Sequence, residues 1–285
     1  MNMLRTLPSA FKVCKRFAPI RFFSSLNSEE FLKVRNENGV REITLCHPST
    51  RNSLSMDMMC VLDEALNKDR DDVNLRCIVL TAEGKVWSAG HNLKQLQPDD
   101  LKYRDAVFQK CTDLVLGIKK LPVPVIAKVN GYAAAAGCQL VASCDIIVAT
   151  DKSMFSTPGA AVGIFCNTPG VAIGRVMSRP KSAYMLMTGL PISGQEAYIA
   201  GLVTKVVPES ELDKTIDDIT NAIRAKSRAV IALGKEFYYE QLNLPLEQAY
   251  VKAKAKMNEN LELDDCKEGM SSFVEKRPPN WKHTN

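Results

Sequence analysis

Two short segments combine small residues with positions where a chain can leave a strand and enter a helix. The first is VWSAGHNLK at residues 86–94, and the second is NGYAAAAGCQL at residues 130–140. Small side chains let a ligand approach the backbone, and the first N–H groups of a helix have no partner inside it and attract anions. Two facing turns of this kind would therefore offer two N–H donors to one developing oxyanion.

Each segment follows an apolar, β-branched run that is typical of a strand buried on both faces. These runs are CIVLTA at residues 77–82 and VPVIAKV at residues 123–129, and CDIIVAT at residues 144–150 is a third. Helical stretches lie between them, so the alternation predicts βαβ units in an α/β fold. Ala and Gly also serve tight helix–sheet packing, and for either segment alone that explanation is favoured.

The rest of the chain predicts further elements. Residues 31–36 and 40–46 indicate a hairpin, and Ser55 indicates the cap of a helix over residues 56–69. Beyond residue 178 the pattern is mainly helical, with helices expected at 181–187, 194–199, 210–226, 229–241 and 247–260 and one short strand near 203–207. An α/β core is therefore expected to precede a helical C-terminal region, which often serves packing between subunits.

Positive charge is concentrated at the amino terminus. Residues 1–23 contain no acid and five basic residues, which are Arg5, Lys12, Lys15, Arg16 and Arg21. This composition predicts a mitochondrial transit peptide rather than a secretory signal, with a disordered basic tail as the alternative. The remaining 32 Lys and Arg equal the 32 Asp and Glu. The body of the chain therefore lacks the basic field on which nucleic-acid and membrane-surface binding depend.

Cysteine usage and the apolar runs argue against metal-binding, disulfide-bonded and membrane-spanning proteins. Nine cysteines occur without a CxxC pair, and three histidines are present, so we expect no metal site and no disulfide framework. Residues 153–174 are uncharged, but Pro158, Pro169 and four glycines interrupt them. A lipid-buried helix could not satisfy its backbone through these breaks, so the segment is interpreted as buried loop and core.

Taken together, the motifs resemble those of the crotonase (enoyl-CoA hydratase/isomerase) superfamily. AGHNL at residues 89–93 is similar to the family's A-G-x-D-L turn, and residues 130–140 are similar to its N-G-x-A-x-G-G-G-x-x-L. Residues 48–54 fit its P-x-x-x-N-x-L, and CDIIVA at residues 144–149 fits its C-D-x-x-x-A strand. The resemblance covers nearly everything after residue 30, including the closing helix and tail.

The resemblance implies a fold and a binding site. The fold would be a crotonase-type spiral core of ββα units over residues 24–208, with a helical C-terminal trimerisation region over 209–285, in a homotrimer or hexamer. The N–H groups of His91 and Ala136 would form the oxyanion hole for an acyl-CoA thioester. Candidate contacts for the CoA moiety are Thr50, Arg51, Ala89, Asn92, Leu93 and Lys94. The CoA thioester would be substrate or ligand, and no metal or resident cofactor is expected.

The resemblance fails at the two catalytic carboxylates. Family hydratases use two glutamates to add water across a double bond, and these positions carry Gln139 and Gly159 here. Neither residue can exchange a proton near neutral pH, although Gln139 could still orient a water. The aspartate of the dienoyl isomerases would fall near Asn167. A mitochondrial subgroup of the family also carries Gln and Gly at the two carboxylate positions. Efficient hydration is therefore not expected.

Three other side chains near the predicted site need interpretation. His91 carries a titratable side chain on one of the two predicted active-site turns. An imidazole changes charge near neutral pH. Cys138 and Cys166 map close by and are interpreted as buried, inert thiols. Asn92 stands where the family has aspartate. If the aspartate caps a helix, asparagine can replace it, whereas the function is altered if the charge of the aspartate matters.

Three functions remain open. The first is a mitochondrial matrix enzyme of fatty-acid metabolism that works through its oxyanion hole. The second is a catalytically inactive acyl-CoA binder or regulatory subunit. An RNA-binding crotonase is disfavoured, because the acidic and basic residues of 61–70 balance. If the oxyanion geometry is intact, Gln139→Glu combined with Gly159→Glu is predicted to raise the hydration of crotonyl-CoA.

Overall fold

A computed structural model describes residues 28–97 and 99–284. The transit-peptide prediction for residues 1–23 lies outside the described residues. Within those two ranges, no helix is both long and apolar enough to cross a membrane.

Two sheets form the centre of the described chain. The strands are β1 (Leu32–Glu37), β2 (Val40–Leu45), β3 (Cys77–Ala82), β4 (Val86–Ser88), β5 (Val125–Val129), β6 (Tyr132–Ala134), β7 (Ile146–Thr150), β8 (Met154–Ser156), β9 (Ile192–Ser193) and β10 (Lys205–Val207). The larger sheet has the order β1-β2-β3-β5-β7-β10, and the smaller one has the order β4-β6-β8-β9. Apart from the antiparallel pairs β1–β2 and β8–β9, neighbouring strands are parallel.

From β3 to β8, consecutive strands alternate between the two sheets. β3, β5 and β7 lie in the larger sheet, and each is followed after a short turn by β4, β6 or β8 in the smaller one. Two helices after β4 and one helix after β6 return the chain to the larger sheet, whereas the two helices after β8 lead first to β9 in the smaller sheet. This repeated ββα unit is the one that the resemblance implied. The prediction of simple βαβ units is corrected, because a short second strand precedes each crossover helix.

Five of the eleven α-helices in the described chain begin after a residue whose side chain caps them. The eleven are α1 (Met56–Asn67), α2 (Leu93–Leu96), α3 (Leu101–Lys120), α4 (Ala136–Ala142), α5 (Asn167–Val176), α6 (Arg179–Thr188), α7 (Gly194–Ala200), α8 (Leu212–Arg224), α9 (Arg228–Gln241), α10 (Leu246–Glu262) and α11 (Asp264–Glu275). Ser55 caps α1 by accepting a hydrogen bond from the N–H of Met58 at 3.1 Å, as predicted. Asn92 caps α2 by accepting from the N–H of Lys94 at 3.1 Å, so asparagine does perform the capping role.

The uncharged segment at 153–174 differs from its interpretation as buried loop. It contains the first part of α5, and the residues at 160–165 are exposed, among them Ile164 and Phe165. A local hydrogen bond from the N–H of Ile164 to the carbonyl oxygen of Gly159 (2.9 Å) closes this turn on itself. The interpretation as buried loop and core is therefore wrong for 160–165, whereas Ser153 and residues 155–157 are buried in agreement with it.

Apolar side chains cover both faces of the larger sheet. The four residues Cys77, Val79, Ile126 and Val148 pack against Leu212 and Ile216 of α8, and the opposite faces of these strands join the main core. The burial of β3 and β5 on both faces, which their composition predicted, is confirmed.

The C-terminal helices are attached to the core through α9. Lys235 and Tyr239 of α9 reach Asp145, which immediately precedes β7. By contrast, α10 has no buried residue. Large apolar side chains remain exposed on α10 and α11, including Tyr250 (70%) and Phe273 (85%). A helical C-terminal region is therefore confirmed.

Candidate functional site

The two small-residue turns touch through their backbones. β4 and β6 are parallel neighbours, so the turns that follow them emerge side by side. Gly90 has a φ of +87°, and a Cβ added to it would lie 2.9 Å from the backbone nitrogen of Ala136 and 3.0 Å from the carbonyl oxygen of Ala134. A side chain at position 90 is therefore excluded both by backbone conformation and by space.

A second contact, between Gly137 and Ser88, supports the same arrangement. A Cβ on Gly137 would lie 2.5 Å from the carbonyl oxygen of Ser88. The chain around residues 88–90 thus packs directly against residues 135–137. The small residues do serve close packing, as the alternative explanation held, and this packing is what brings the two turns together.

Two backbone donors belong to this contact. His91 directly follows Gly90, and Ala136 is the first residue of α4. Neither N–H donates a hydrogen bond to any residue in the described part of the chain. Ala136 lacks an intrahelical acceptor because of its position in the first turn. Two unpaired N–H groups thus lie at adjoining turns, and their joint donation to a single oxygen, as in an oxyanion hole, stays a prediction.

Ala135 links this contact to a third segment. Its N–H donates to the carbonyl oxygen of Ser156 at 2.9 Å, and its own carbonyl oxygen accepts from the N–H of Gln139 at 3.0 Å. It holds φ at +50° and ψ at −122°, a conformation that disfavours any residue with a Cβ. The end of β8 is therefore part of the site, together with the start of α4.

Replacing Ala135 by glycine is expected to raise the free energy of unfolding by about 1 kcal/mol, since the relieved strain exceeds the entropy cost of glycine. Ala142→Gly at the end of α4, where φ is not positive, is the matched control and should lower stability. Urea denaturation measures both. If both variants lose stability equally, Ala135 carries no strain.

The side chain of His91 is enclosed. Its ring meets that of Phe108 edge to face, with the ring centroids 5.4 Å apart. Both ring nitrogens are buried and have no hydrogen-bond partner among the described residues. Burial lowers the pKa of His91, and the backbone of Leu54 opposes part of that shift. The neutral imidazole is therefore favoured at neutral pH.

This lowered pKa predicts a pH dependence of stability. In the unfolded chain His91 takes up a proton near pH 6.5, whereas in the folded protein it takes up that proton only at a lower pH. The free energy of unfolding therefore decreases as the pH falls below 6.5. The His91→Gln variant lacks this proton-binding difference. The unfolding free energy of the wild type should therefore fall more steeply between pH 7 and 5 than that of His91→Gln. Parallel curves would contradict a depressed pKa. All other titratable groups are the same in the two proteins and cancel in the difference.

Gln139 and Thr157 are buried polar residues beside the same turn. Gln139 is 4% exposed and Thr157 is fully buried. The Gln139 Oε1 and the Thr157 Oγ1 have no hydrogen-bond partner among the described residues. Sequence reasoning named Gln139 but missed Thr157. The available signal was its position directly before Pro158 and Gly159, the second of which the sequence placed at the site.

The turn at Gly159 leaves no room for a side chain. A Cβ on Gly159 would lie 2.1 Å from the carbonyl oxygen of Ile164 and 2.7 Å from the Sγ of Cys166. The N–H of Gly159 donates to that Sγ at 3.3 Å. Therefore, no side chain fits at position 159 unless the turn opens. The proposed reversal with Gly159→Glu is corrected on this point.

The two thiols near the site are poor nucleophiles. Burial raises the pKa of Cys138 to about 12, and it also raises the pKa of Cys166 above its usual value. A thiolate is the reactive form of cysteine, so neither group attacks a thioester near neutral pH. Their interpretation as buried thiols agrees with their burial in the structure.

The residues predicted to contact CoA lie along one edge of the site. The N–H of Ala89 donates to the carbonyl oxygen of Arg51 at 3.0 Å, and the N–H of Leu54 donates to the carbonyl oxygen of Gly90 at 2.8 Å. These bonds join residues 48–54 to the first turn. The side chains of Thr50, Arg51, Leu93 and Lys94 are exposed, while Ala89 and Asn92 are partly buried. Their contact with CoA stays a prediction.

Comparison with known proteins agrees with this architecture. The family described as Enoyl-CoA hydratase/isomerase matches residues 35–284. A Xenopus laevis protein named enoyl-CoA hydratase domain-containing protein 3, mitochondrial, is 48% identical over 262 residues, which cover 92% of this chain and 89% of the relative. The human protein of that name is 48% identical over 88% of this chain and 83% of its own length.

Solved structures show the same fold. The crystal structure of the human enoyl-CoA hydratase domain-containing protein 3 superposes with a TM-score of 0.86 at 47% identity, covering 88% of this chain and all of that one. A structure of an enoyl-CoA hydratase from Mycobacterium smegmatis gives 0.86 at 43% identity, covering 89% of this chain and 99% of that one. The resemblance seen in the motifs is thereby confirmed, and the chain belongs to the enoyl-CoA hydratase/isomerase family.

Proposed function

We propose that the protein binds acyl-CoA thioesters, with the thioester oxygen between the N–H groups of His91 and Ala136. The observation that carries this proposal is the backbone contact at Gly90, which brings two unpartnered N–H groups of the described chain to one place. Donors of this kind stabilise charge that develops on a carbonyl oxygen. In enzymes that use them, a single donor is worth about 3–4 kcal/mol.

The relatives and the composition support a proposal for the cellular compartment and the area of metabolism. The named relatives are mitochondrial proteins, and residues 1–23 have the charge pattern of a transit peptide. We place the protein in the mitochondrial matrix and in fatty-acid metabolism. Exposed apolar side chains on α10 and α11 support assembly into a trimer or hexamer through these helices.

The chemistry would be polarisation of the carbonyl without efficient proton transfer. Each lost acid–base group typically costs a rate factor of about 10²–10⁴, although two groups that act together need not multiply. The closed turn at Gly159 specifically favours the second candidate, a catalytically inactive acyl-CoA binder or regulatory subunit. The site there is occupied by the carbonyl of Ile164 and the thiol of Cys166.

A pair of ligands tests the binding proposal. Isothermal titration calorimetry would compare butyryl-CoA with a thioether analogue whose carbonyl is replaced by CH₂. We expect the thioester to bind about tenfold more tightly, since a hydrogen bond to a polarised oxygen contributes about 1.5 kcal/mol. Ala136→Pro removes one donor at the first helical position, where proline is tolerated, and should erase that preference. Equal affinity of the wild type for both ligands would contradict the proposal.

Asp264→Pro is the matched control, because Asp264 holds the same position in α11 and lies outside the site. It should leave the thioester preference unchanged. Turnover assays then separate the two candidate functions. Turnover above the solvent background on any of the enoyl-, 3-hydroxyacyl- or malonyl-type esters indicates an enzyme, whereas tight binding without turnover indicates a binder.

A further inference from the structure

The C-terminal tail lies against the junction of α8, α9 and α11. The indole N–H of Trp281 donates to the carbonyl oxygen of Ala225, directly after α8, at 3.0 Å. The backbone N–H groups of Lys282 and His283 donate to the two carboxylate oxygens of Asp265 in α11, at 2.7 and 2.9 Å. These bonds fix the position of the His283 ring, so the surroundings of that ring affect whether the tail stays docked.

Both ring nitrogens of His283 face hydrogen-bond donors. The guanidinium Nη1 of Arg76 lies 2.9 Å from Nε2, and the backbone nitrogen of Arg228 lies 3.3 Å from Nδ1. A neutral imidazole can accept a hydrogen bond at one nitrogen, whereas a protonated imidazole carries two N–H groups and accepts none. Protonation of His283 therefore leaves two donors facing two donors.

The charges around the ring also oppose a second cation. Arg76 reaches the ring from the residue before β3, and Arg228 is the first residue of α9, where the helix dipole is positive. Burial and the charges of Arg228 and Arg224 lower the pKa of Arg76 itself, so Arg224 of α8 adds to the positive field. Burial and the charge of Arg76 lower the pKa of His283, and the carboxylate of Asp265 opposes this shift only in part.

We infer that residues 281–283 form a pH-dependent latch, which holds the tail on this junction while His283 is neutral and releases it when His283 is protonated. An exposed histidine takes up its proton near pH 6.5, and the docked ring does so only at a lower pH, so docking weakens as the pH falls below 6.5. Release would uncover the carboxylate of Asp265, which is 1% exposed in the docked state. Helix α9 would stay attached to the core through Asp145.

Two carboxylates that bind backbone N–H groups of the tail stay charged in this pH range. Glu268 accepts from the N–H of Asn280 at 2.7 Å, and its bonds from Arg277 and from this N–H lower its pKa to about 2. Burial alone would raise the pKa of Asp265, but the bonds from the Ser227 hydroxyl and from the two N–H groups of the tail outweigh it and lower that pKa. Among these three groups, the imidazole is therefore the one that responds between pH 7.5 and 5.

Fluorine NMR on the full chain labelled with 5-fluorotryptophan tests the latch, because the chain has two tryptophans. Trp87 is fully buried in the core and serves as the internal reference. The Trp281 resonance, assigned with Trp281→Phe, should move reversibly toward the position of an exposed indole between pH 7.5 and 5, while that of Trp87 stays in place. The ratio of released to docked tail should rise by about three- to 30-fold, because protonated imidazole outnumbers the neutral form by about 30 to one at pH 5.

Substitutions of His283 separate its charge from its shape. His283→Gln keeps an acceptor for Arg76 but takes up no proton, so its Trp281 resonance should remain in the docked position at pH 5. His283→Arg carries a permanent charge and should show the released resonance already at pH 7.5. His47→Gln is the matched control, because the His47 ring contacts Thr50 and not the tail, and it should keep the wild-type transition. An equal transition in His283→Gln, or a docked His283→Arg, would overturn the inference.

The ring of His283 gives a second readout in the wild type, which decides the matter even if glutamine fails to dock at any pH. Its ring-proton resonance is the one that disappears in His283→Gln. The midpoint of its titration should lie below pH 6.5 and coincide with the movement of the Trp281 resonance. A midpoint at or above pH 6.5, or a Trp281 resonance that stays docked after the ring is protonated, would show that the tail is not a latch.

Discussion

A Gly159→Glu protein is expected to be less stable than the wild type by about 1–3 kcal/mol and to gain no hydration of crotonyl-CoA, although it restores the residue type of the family's hydratases. The added Cβ would lie 2.1 Å from the carbonyl oxygen of Ile164, so the turn must open before any carboxylate can reach the site. Opening the turn also breaks the hydrogen bond from the N–H of Ile164 to the Gly159 carbonyl (2.9 Å). Urea denaturation and a crotonyl-CoA assay measure the two effects.

Gly174→Glu is the control for this substitution. Gly174 lies in α5, and no atom lies within 4 Å of where its Cβ would be. The same change of residue type should therefore be tolerated there. Wild-type stability together with rapid hydration in Gly159→Glu would show that the turn opens freely. Gln139→Glu alone preserves the shape of the side chain, and it isolates the contribution of the first carboxylate.

Asp145→Ala is expected to lower the free energy of unfolding by about 3–5 kcal/mol. This is the usual cost of removing one partner of a buried ion pair, because the other charge stays buried without compensation. Asp145 accepts hydrogen bonds of 2.6 Å from the Nζ of Lys235, the hydroxyl of Tyr239 and the N–H of Val125. The side chains of Lys235 and Asp145 are only 7% and 13% exposed. Denaturant titration of the purified variant measures the loss.

This substitution should also loosen α9. Lys235 donates further bonds to the carbonyl oxygens of Ile118 (3.0 Å) and Val123 (2.9 Å), but its charge would have no counter-ion without Asp145. Hydrogen exchange in α9 should therefore accelerate more than exchange in α1. Asp218→Ala, which breaks the exposed pair with Lys214, serves as the control and should change nothing measurable. Equal stability of the two variants would mean that the buried pair does not hold α9 in place.

Local sequence signals predicted much of the fold. The runs at residues 77–82 and 123–129 are strands β3 and β5, apart from the first residues of the second run. Ser55 caps α1, and the small residues at 130–140 do mark a tight entry into α4. These features depend on residues that are near neighbours in the chain. Composition and spacing are therefore sufficient to reveal them.

Features that depend on contacts between segments could not be predicted in the same way. The blocked space at Gly159 comes from the carbonyl of Ile164, and no residue type at position 164 would indicate it. The unpaired hydroxyl of Thr157 is apparent only when the acceptors around it are known. The exposed stretch at 160–165 was likewise mistaken for core, because uncharged residues serve buried segments and apolar surfaces alike.

The use of backbone groups at the Gly90–Ala136 contact has a consequence for how such a protein changes over generations. A carboxylate disappears with one codon change, whereas an N–H group persists through every single substitution at its own position except the one to proline. The donors proposed at His91 and Ala136 would thus outlast any acids at positions 139 and 159. A lineage of such proteins would lose its proton-transfer residues first and keep its capacity to hold a carbonyl oxygen.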